Sequence, residues 1–147
     1  MTIPDSGDAS ADLYLADTNI YVTAANDPAF AQRFADFVRE HGPIAVSSIV
    51  VAEVLIGVKD ANRTASVVRA IAAGQPLLSP TEDDWLLAGT ITARLGGEAI
   101  TKSRSFWNDT LLAAQCARLG VTLITHNTPD FRRLGRQMGV RVVKAFP

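Results

Sequence analysis

Four carboxylates stand where a carboxylate is locally out of place. Asp17 follows directly on the apolar run Leu13-Tyr14-Leu15-Ala16. Glu53 is the only charge in the stretch SSIVVAEVLIG, and Asp109 the only charge in FWNDTLLAA. Asp130 lies just past a second apolar run, Val121-Thr122-Leu123-Ile124, which ends in Thr125-His126-Asn127. A lone carboxylate in an apolar setting is costly unless it is hydrogen-bonded, paired or bound to a cation. No Lys or Arg lies between Arg39 and Lys59, or between Arg104 and Arg118, so local ion pairing is a poor explanation. A shared divalent cation explains all four acids at once. Oxygen-only ligands favour Mg²⁺ or Mn²⁺ over zinc. Mg²⁺ uses about one or two protein carboxylates and keeps several waters. Three or four acids therefore suffice for one ion, and can hold two ions roughly 4 Å apart. Such a centre orients a phosphodiester, activates a water and stabilises the leaving oxygen. Each acid also has a plainer role open to it. Asp17 can cap a helix starting near Thr18, and Glu53 can sit on the surface of an amphipathic helix. Asp109 can be a first-turn acid favoured by the helix dipole, and Asp130 can belong to a turn and cap in Asn-Thr-Pro-Asp.

The elements that must position these acids read as an alternation. Short apolar strands are expected at 13–16, 44–46, 77–78, 121–124 and 140–143. Helices are expected after Asp27-Pro28 as far as His41-Gly42-Pro43, after Ser47 or Ser48, and through Val67, Val68 and Ile71. Another begins at Thr81, which with Asp84 resembles a capping box, and places Trp85, Leu86 and Ile91 inward. The stretch Ile100 to Arg104 reads as a polar loop. A helix through Phe106, Leu111, Leu112 and Cys116 follows, then a short helix from Phe131 to Arg136. Strands alternating with helices argue for an α/β domain with a parallel sheet covered on both faces. Ligands of such sheets sit beyond the carboxyl ends of the strands, where the polar clusters Asp17-Thr18-Asn19 and Thr125-His126-Asn127 fall.

With 147 residues, 48% hydrophobic and 20% charged, the chain is neither disordered nor collagen-like. A leader at 1–12 and one domain at 13–147 are expected. No membrane helix or signal peptide is visible, and the single Cys116 excludes an internal disulfide and a Cys-rich zinc site, so a cytoplasmic setting is expected. Net charge is −1, but residues 1–93 hold 5 Lys and Arg against 12 Asp and Glu, whereas residues 94–147 hold 9 against 3. That asymmetry points either to an anionic partner for the C-terminal half or to an unevenly charged solvated surface.

Taken together, LYLADTN, SSIVVAEVLIG and NDTLLAAQCARLGVTLITHNTPDF resemble, in order, the motifs of the PIN-domain ribonucleases, especially the VapC-like toxins of toxin–antitoxin modules. The likeness covers most of residues 13–143. It implies a three-layer sandwich with a short central parallel β-sheet flanked by helices. It implies Asp17, Glu53 and Asp109 as metal-binding catalytic acids, with the fourth acidic position falling on Asn127 or supplied by Asp130. Thr18, Asn19, Ser48, Thr125 and Asn127 are the expected hydroxyl and amide partners that orient the ligands. The implied activity is Mg²⁺- or Mn²⁺-dependent hydrolysis of RNA, with a structured RNA such as tRNA as one option. Lys102, Arg104, Arg132 and Arg133 are the expected phosphate contacts. A small antitoxin and a homodimer are the implied protein partners, with the helices bearing Phe30, Phe34 and Phe37 and bearing Val67, Val68 and Ile71 as apolar surface for either. His126 reads as a solvated loop residue or a general base. A phosphatase-like enzyme acting on a small molecule and a non-catalytic RNA-binding domain are the competing readings.

Overall fold

The computed structural model describes residues 13–72, 75–97 and 104–146; the side chains of Arg104 and Ser105 are not described. The expected leader at 1–12 and residues 100–103 of the polar loop expected at 100–104, with Lys102, lie outside the described residues, whereas Arg104 already belongs to a helix.

Five strands are described: β1 (Tyr14–Ala16), β2 (Val46–Ser47), β3 (Leu77–Leu78), β4 (Thr122–Thr125) and β5 (Val142–Lys144). They alternate with α1 (Thr18–Asn26), α2 (Pro28–His41), α3 (Ser48–Ile56), α4 (Thr64–Ala72), α5 (Glu82–Leu95), α6 (Arg104–Leu119) and α7 (Thr128–Met138). All pairings are parallel. β4 lies between β1 and β5, β2 pairs with β3, and a bridge between Leu15 and Ala45 joins the two ribbons. β4 is buried along its whole length, whereas β3 and β5 are only partly buried. Leu15 and Leu123 point into a core with Val50, Ile91, Leu112, Phe131 and Leu134, from α3, α5, α6 and α7. Ala16 and Ile124 point the other way, against Ile20 and Phe30 of α1 and α2. The result is the helix–sheet–helix arrangement expected from the motifs.

Local chemistry sets the element ends. The Asp27 carboxylate caps α2 by accepting from the Ala29 and Phe30 amides, with Pro28 in the first turn. The Ser47 hydroxyl, rather than that of Ser48, caps α3. Thr81 and Asp84 form the reciprocal capping box. Asp84 also corrects the expected phase of α5. Its carboxylate is buried and bonded by the Arg118 guanidinium at 2.9 and 3.0 Å. Residues 84, 88 and 91 therefore form the inward stripe, and Trp85 and Leu86 turn outward, 49% and 62% exposed. The last helix also differs from expectation. It starts at Thr128, because Pro129 presets the first turn, and continues to Met138. The last strand is shifted to Val142–Lys144 as a consequence.

Close packing of α7 on β5 depends on Gly135. A Cβ there would lie 2.6 Å from the Val140 carbonyl oxygen, whereas one on Gly89, in α5, would meet nothing within 4 Å. Gly135→Ala should therefore lower the unfolding free energy by about 1–3 kcal/mol through overpacking. Gly89→Ala should raise it by about 0.4–1 kcal/mol. Urea unfolding of both variants checks the contrast; equal effects would contradict this packing.

Candidate metal centre

Asp17 ends β1, and its amide donates to the Ile124 carbonyl of β4, 2.9 Å away, which holds the two strand ends together. Its carboxylate is buried and fixed at both oxygens. Oδ1 accepts from the Thr18 amide at 2.7 Å, and Oδ2 accepts from the Thr125 hydroxyl at 2.9 Å. Thr125, the last residue of β4, is fully buried. Its hydroxyl oxygen also accepts from the Asn127 amide at 3.0 Å and from Asn19 Nδ2 at 3.4 Å. Asn19 reaches back across the strand end, its Oδ1 accepting from the His126 amide at 3.2 Å. One side-chain hydroxyl thus ties together the polar clusters at the ends of β1 and β4.

The other acids arrive from helices. Glu53, half-buried on α3, accepts at Oε1 from the Thr18 hydroxyl at 2.9 Å. Thr18 therefore steadies two acids, Asp17 by its amide and Glu53 by its side chain. Asp109 is half-buried on the second turn of α6. Asp130 is exposed in the first turn of α7, where Oδ2 accepts from Asn127 Nδ2 at 3.1 Å.

The charges of these groups act on one another. The Asp109 carboxyl is pushed up to about 8, first by burial and then by repulsion from Asp17, Glu53 and Asp130. Asp17 is also raised, chiefly by burial, with Glu53 adding to the effect; the Thr18 amide, the Thr125 hydroxyl and His126 oppose it. All four sequence-flagged acids therefore lie in one field. The ion pairs within the described residues, Arg39–Asp36 and Arg118–Asp84, lie elsewhere. A set of carboxylate oxygens that repel one another, with no nitrogen or sulfur donor among them, suits a hard divalent cation. Among the described residues no three His, Cys, Asp or Glu side chains stand close enough together to hold a metal ion as placed. Mg²⁺ does not require a closed cage of protein ligands, since it retains much of its water.

The remaining expected residues divide. Ser48 opens α3 and is half-buried, while the neighbouring Ser47 hydroxyl turns inward to Gln115 Oε1 at 2.6 Å. Lys102 and the Arg104 side chain are not described, and Arg132 and Arg133 lie exposed on α7. The His126 ring is engaged from two sides, with Nε2 3.1 Å from the Thr23 hydroxyl and its centroid 5.3 Å from that of Phe30. No sequence periodicity announced the Thr23 contact, because it joins residues 103 positions apart.

The profile of the PIN domain family matches residues 14–137. No curated protein matches the chain significantly. Among solved structures, the DNA-bound VapBC of Salmonella typhimurium is similar with a TM-score of 0.71 at 21% identity, over 92% of this chain and 99% of that one. VapBC2 of Rickettsia felis, bound to a promoter DNA fragment, gives 0.68 at 21% identity over 90% and 98%. A toxin–antitoxin complex from Klebsiella pneumoniae gives 0.65 at 20% identity over 90% and 98%.

The raised carboxyls have a direct thermodynamic consequence. Asp109 has a folded-state value of about 8 against 3.8 when unperturbed, so between those values the folded chain holds a proton that the unfolded chain releases. Stability from this group is greatest at low pH and is lost as pH rises through about 8. Metal-free protein should melt lower at pH 8 than at about pH 5, and Mn²⁺ should raise the melting temperature more at pH 8. A melting temperature indifferent to both would contradict the crowding of these acids.

Proposed function

The chain belongs to the PIN domain family, and on that premise we propose that it is a metal-dependent endoribonuclease toxin of a toxin–antitoxin pair. One observation carries the reading: the carboxylates of Asp17, Glu53, Asp109 and Asp130 share a single field at the carboxyl ends of β1 and β4. In this proposal Asp17, Glu53 and Asp109 hold Mg²⁺ or Mn²⁺, and Asp130 fills the fourth acidic position, oriented by Asn127. A divalent cation bound there supplies the positive charge that polarises a phosphodiester and makes water more acidic.

The chain's own groups do the positioning. Thr125 and Thr18 hold both Asp17 oxygens, so this carboxylate presents only its remaining lone pairs to a ligand. Thr18 likewise fixes one oxygen of Glu53 and leaves the other available. Asp130 is exposed, and its Oδ1 is available to orient a water or accept its proton. Asn19 holds the His126 amide and thereby the turn through Asn127 that leads into α7 and Asp130.

The reading extends to partners. An apolar groove of about 670 Å³ between α1, α2, α3 and α4 is lined by Tyr21, Phe34, Val38, Val54, Val67 and Ile71. In this proposal it receives an apolar segment of a cognate antitoxin. The structures it resembles include a complex described as toxin–antitoxin. A homodimer is also proposed, with the exposed Trp85 and Leu86 as its available apolar surface. No helix among the described residues is long and apolar enough to cross a membrane. A cytoplasmic setting remains part of the proposal.

Cleavage of an RNA pool in Mg²⁺ tests the reading. Asp17→Asn and Asp109→Asn should each lower the rate by more than about 100-fold, and Thr125→Val by about 10–100-fold, as for a partner that orients a ligand. Circular dichroism should show all three variants folded. Cleavage at the wild-type rate by both Asp→Asn variants would overturn it.

A further inference from the structure

A second feature lies between the C-terminal half of α7 and the start of β5. A basin of about 460 Å³ is lined by Arg132, Gly135, Arg136, Gly139, Val140, Arg141 and Val142. Three of the seven lining residues are arginines and none is acidic. Arg132 and Arg136 stand four residues apart on one exposed helix face, where side chains are neighbours. Among the described residues no carboxylate pairs with either, in contrast to Arg39 and Arg118, whose carboxylate partners are Asp36 and Asp84. The floor is backbone. Gly135 is pressed against the Val140 carbonyl with no room for a Cβ, and Gly139 closes α7 with φ of 76°. The concavity therefore depends on two glycines, and its walls on guanidinium groups.

The basin is placed in line with the acidic centre. Asp130 sits in the first turn of α7, and Arg136 follows about 9 Å along the same axis at 1.5 Å per residue. Arg132, Arg133 and Arg136 thus follow Asp130 along α7 toward the basin. Guanidinium groups bind phosphate oxygens in a fork, and no carboxylate lines this basin to oppose an anion.

We propose that the Arg132, Arg136 and Arg141 basin is a phosphate subsite for the RNA strand. It holds a backbone phosphate of the strand away from the bond presented to the acidic centre. The position of the cut bond rests on the nuclease reading; the phosphate subsite does not. The subsite gives the enzyme a grip on the strand that is independent of base identity and remote from the metal ligands.

Fluorescence anisotropy in EDTA, with a labelled mixed-sequence RNA of about 12–16 nucleotides, tests this without any cleavage. Arg132→Gln/Arg136→Gln should reduce the slope of log affinity against log salt by about 1.4, since each lost single-strand phosphate contact removes about 0.7. That corresponds to a roughly 10- to 25-fold weaker affinity near 0.1 M salt. Arg39→Gln, on α2, should bind as the wild type does. An unchanged slope and affinity in the double variant, with circular dichroism showing it folded, overturns the proposal. So does preferential binding of duplex DNA through the same arginines. Loss of cleavage in Asp17→Asn with an unaffected double variant would leave the nuclease standing and remove only the subsite. Normal arginine-dependent binding by a chain that never cuts would do the reverse.

Discussion

Burial of carboxylates, with repulsion among them added, is the constraint on which the candidate site depends. Bringing Asp17, Glu53, Asp109 and Asp130 into one partly buried field costs free energy, and burial alone already penalises Asp109 and Asp17. The described ion pairs do not offset that cost locally. Neutral donors offset part of it. The Thr125 hydroxyl and the Thr18 amide share the charge on Asp17, and the Thr18 hydroxyl takes one oxygen of Glu53. These donors fix geometry without cancelling charge, which is the condition under which a cation gains most on binding.

The fold supplies the force that holds the acids against one another. Parallel pairing of β1 with β4 places Asp17 and Thr125 side by side, and their immediate neighbours pack in opposite directions. Leu15 and Leu123 anchor one face against α3, α6 and α7, the helices that carry Glu53, Asp109 and Asp130. Ala16 and Ile124 anchor the other face against α1 and α2. The Ser47–Gln115 hydrogen bond joins the start of α3 to α6 beneath the acids and closes a buried polar link between two of the helices that carry them. Hydrophobic burial on both sides of a five-strand platform therefore opposes the repulsion at its edge.

Much of this was legible in the residues because isolated charge in apolar sequence is a local signal. The acids at 17, 53 and 109 stand out without knowledge of contacts, and the strand ends that place two of the polar clusters are bounded by apolar runs. Long-range pairing was less legible. The Thr18–Glu53 and Thr23–His126 contacts depend on how α1 crosses α3 and the end of β4, which no periodicity encodes. The phase of α5 was misread because a charged residue, Asp84, lies buried at the place an apolar stripe would predict a hydrophobe. Its partner Arg118 is on another helix. Of the arginine basin, the sequence pointed to Arg132 as a phosphate contact, but Arg136 and Arg141 joined it only once α7 and β5 gave it a shape.

The most direct measurement is calorimetric titration of Mn²⁺ into the metal-free chain near neutral pH. Binding to the wild type should be saturable and accompanied by proton release, because Asp109 must ionise when a cation joins the cluster. Asp109→Asn should bind more weakly and release fewer protons. Identical affinity and proton release in the wild type and the variant would show that these carboxylates do not act as one cation site.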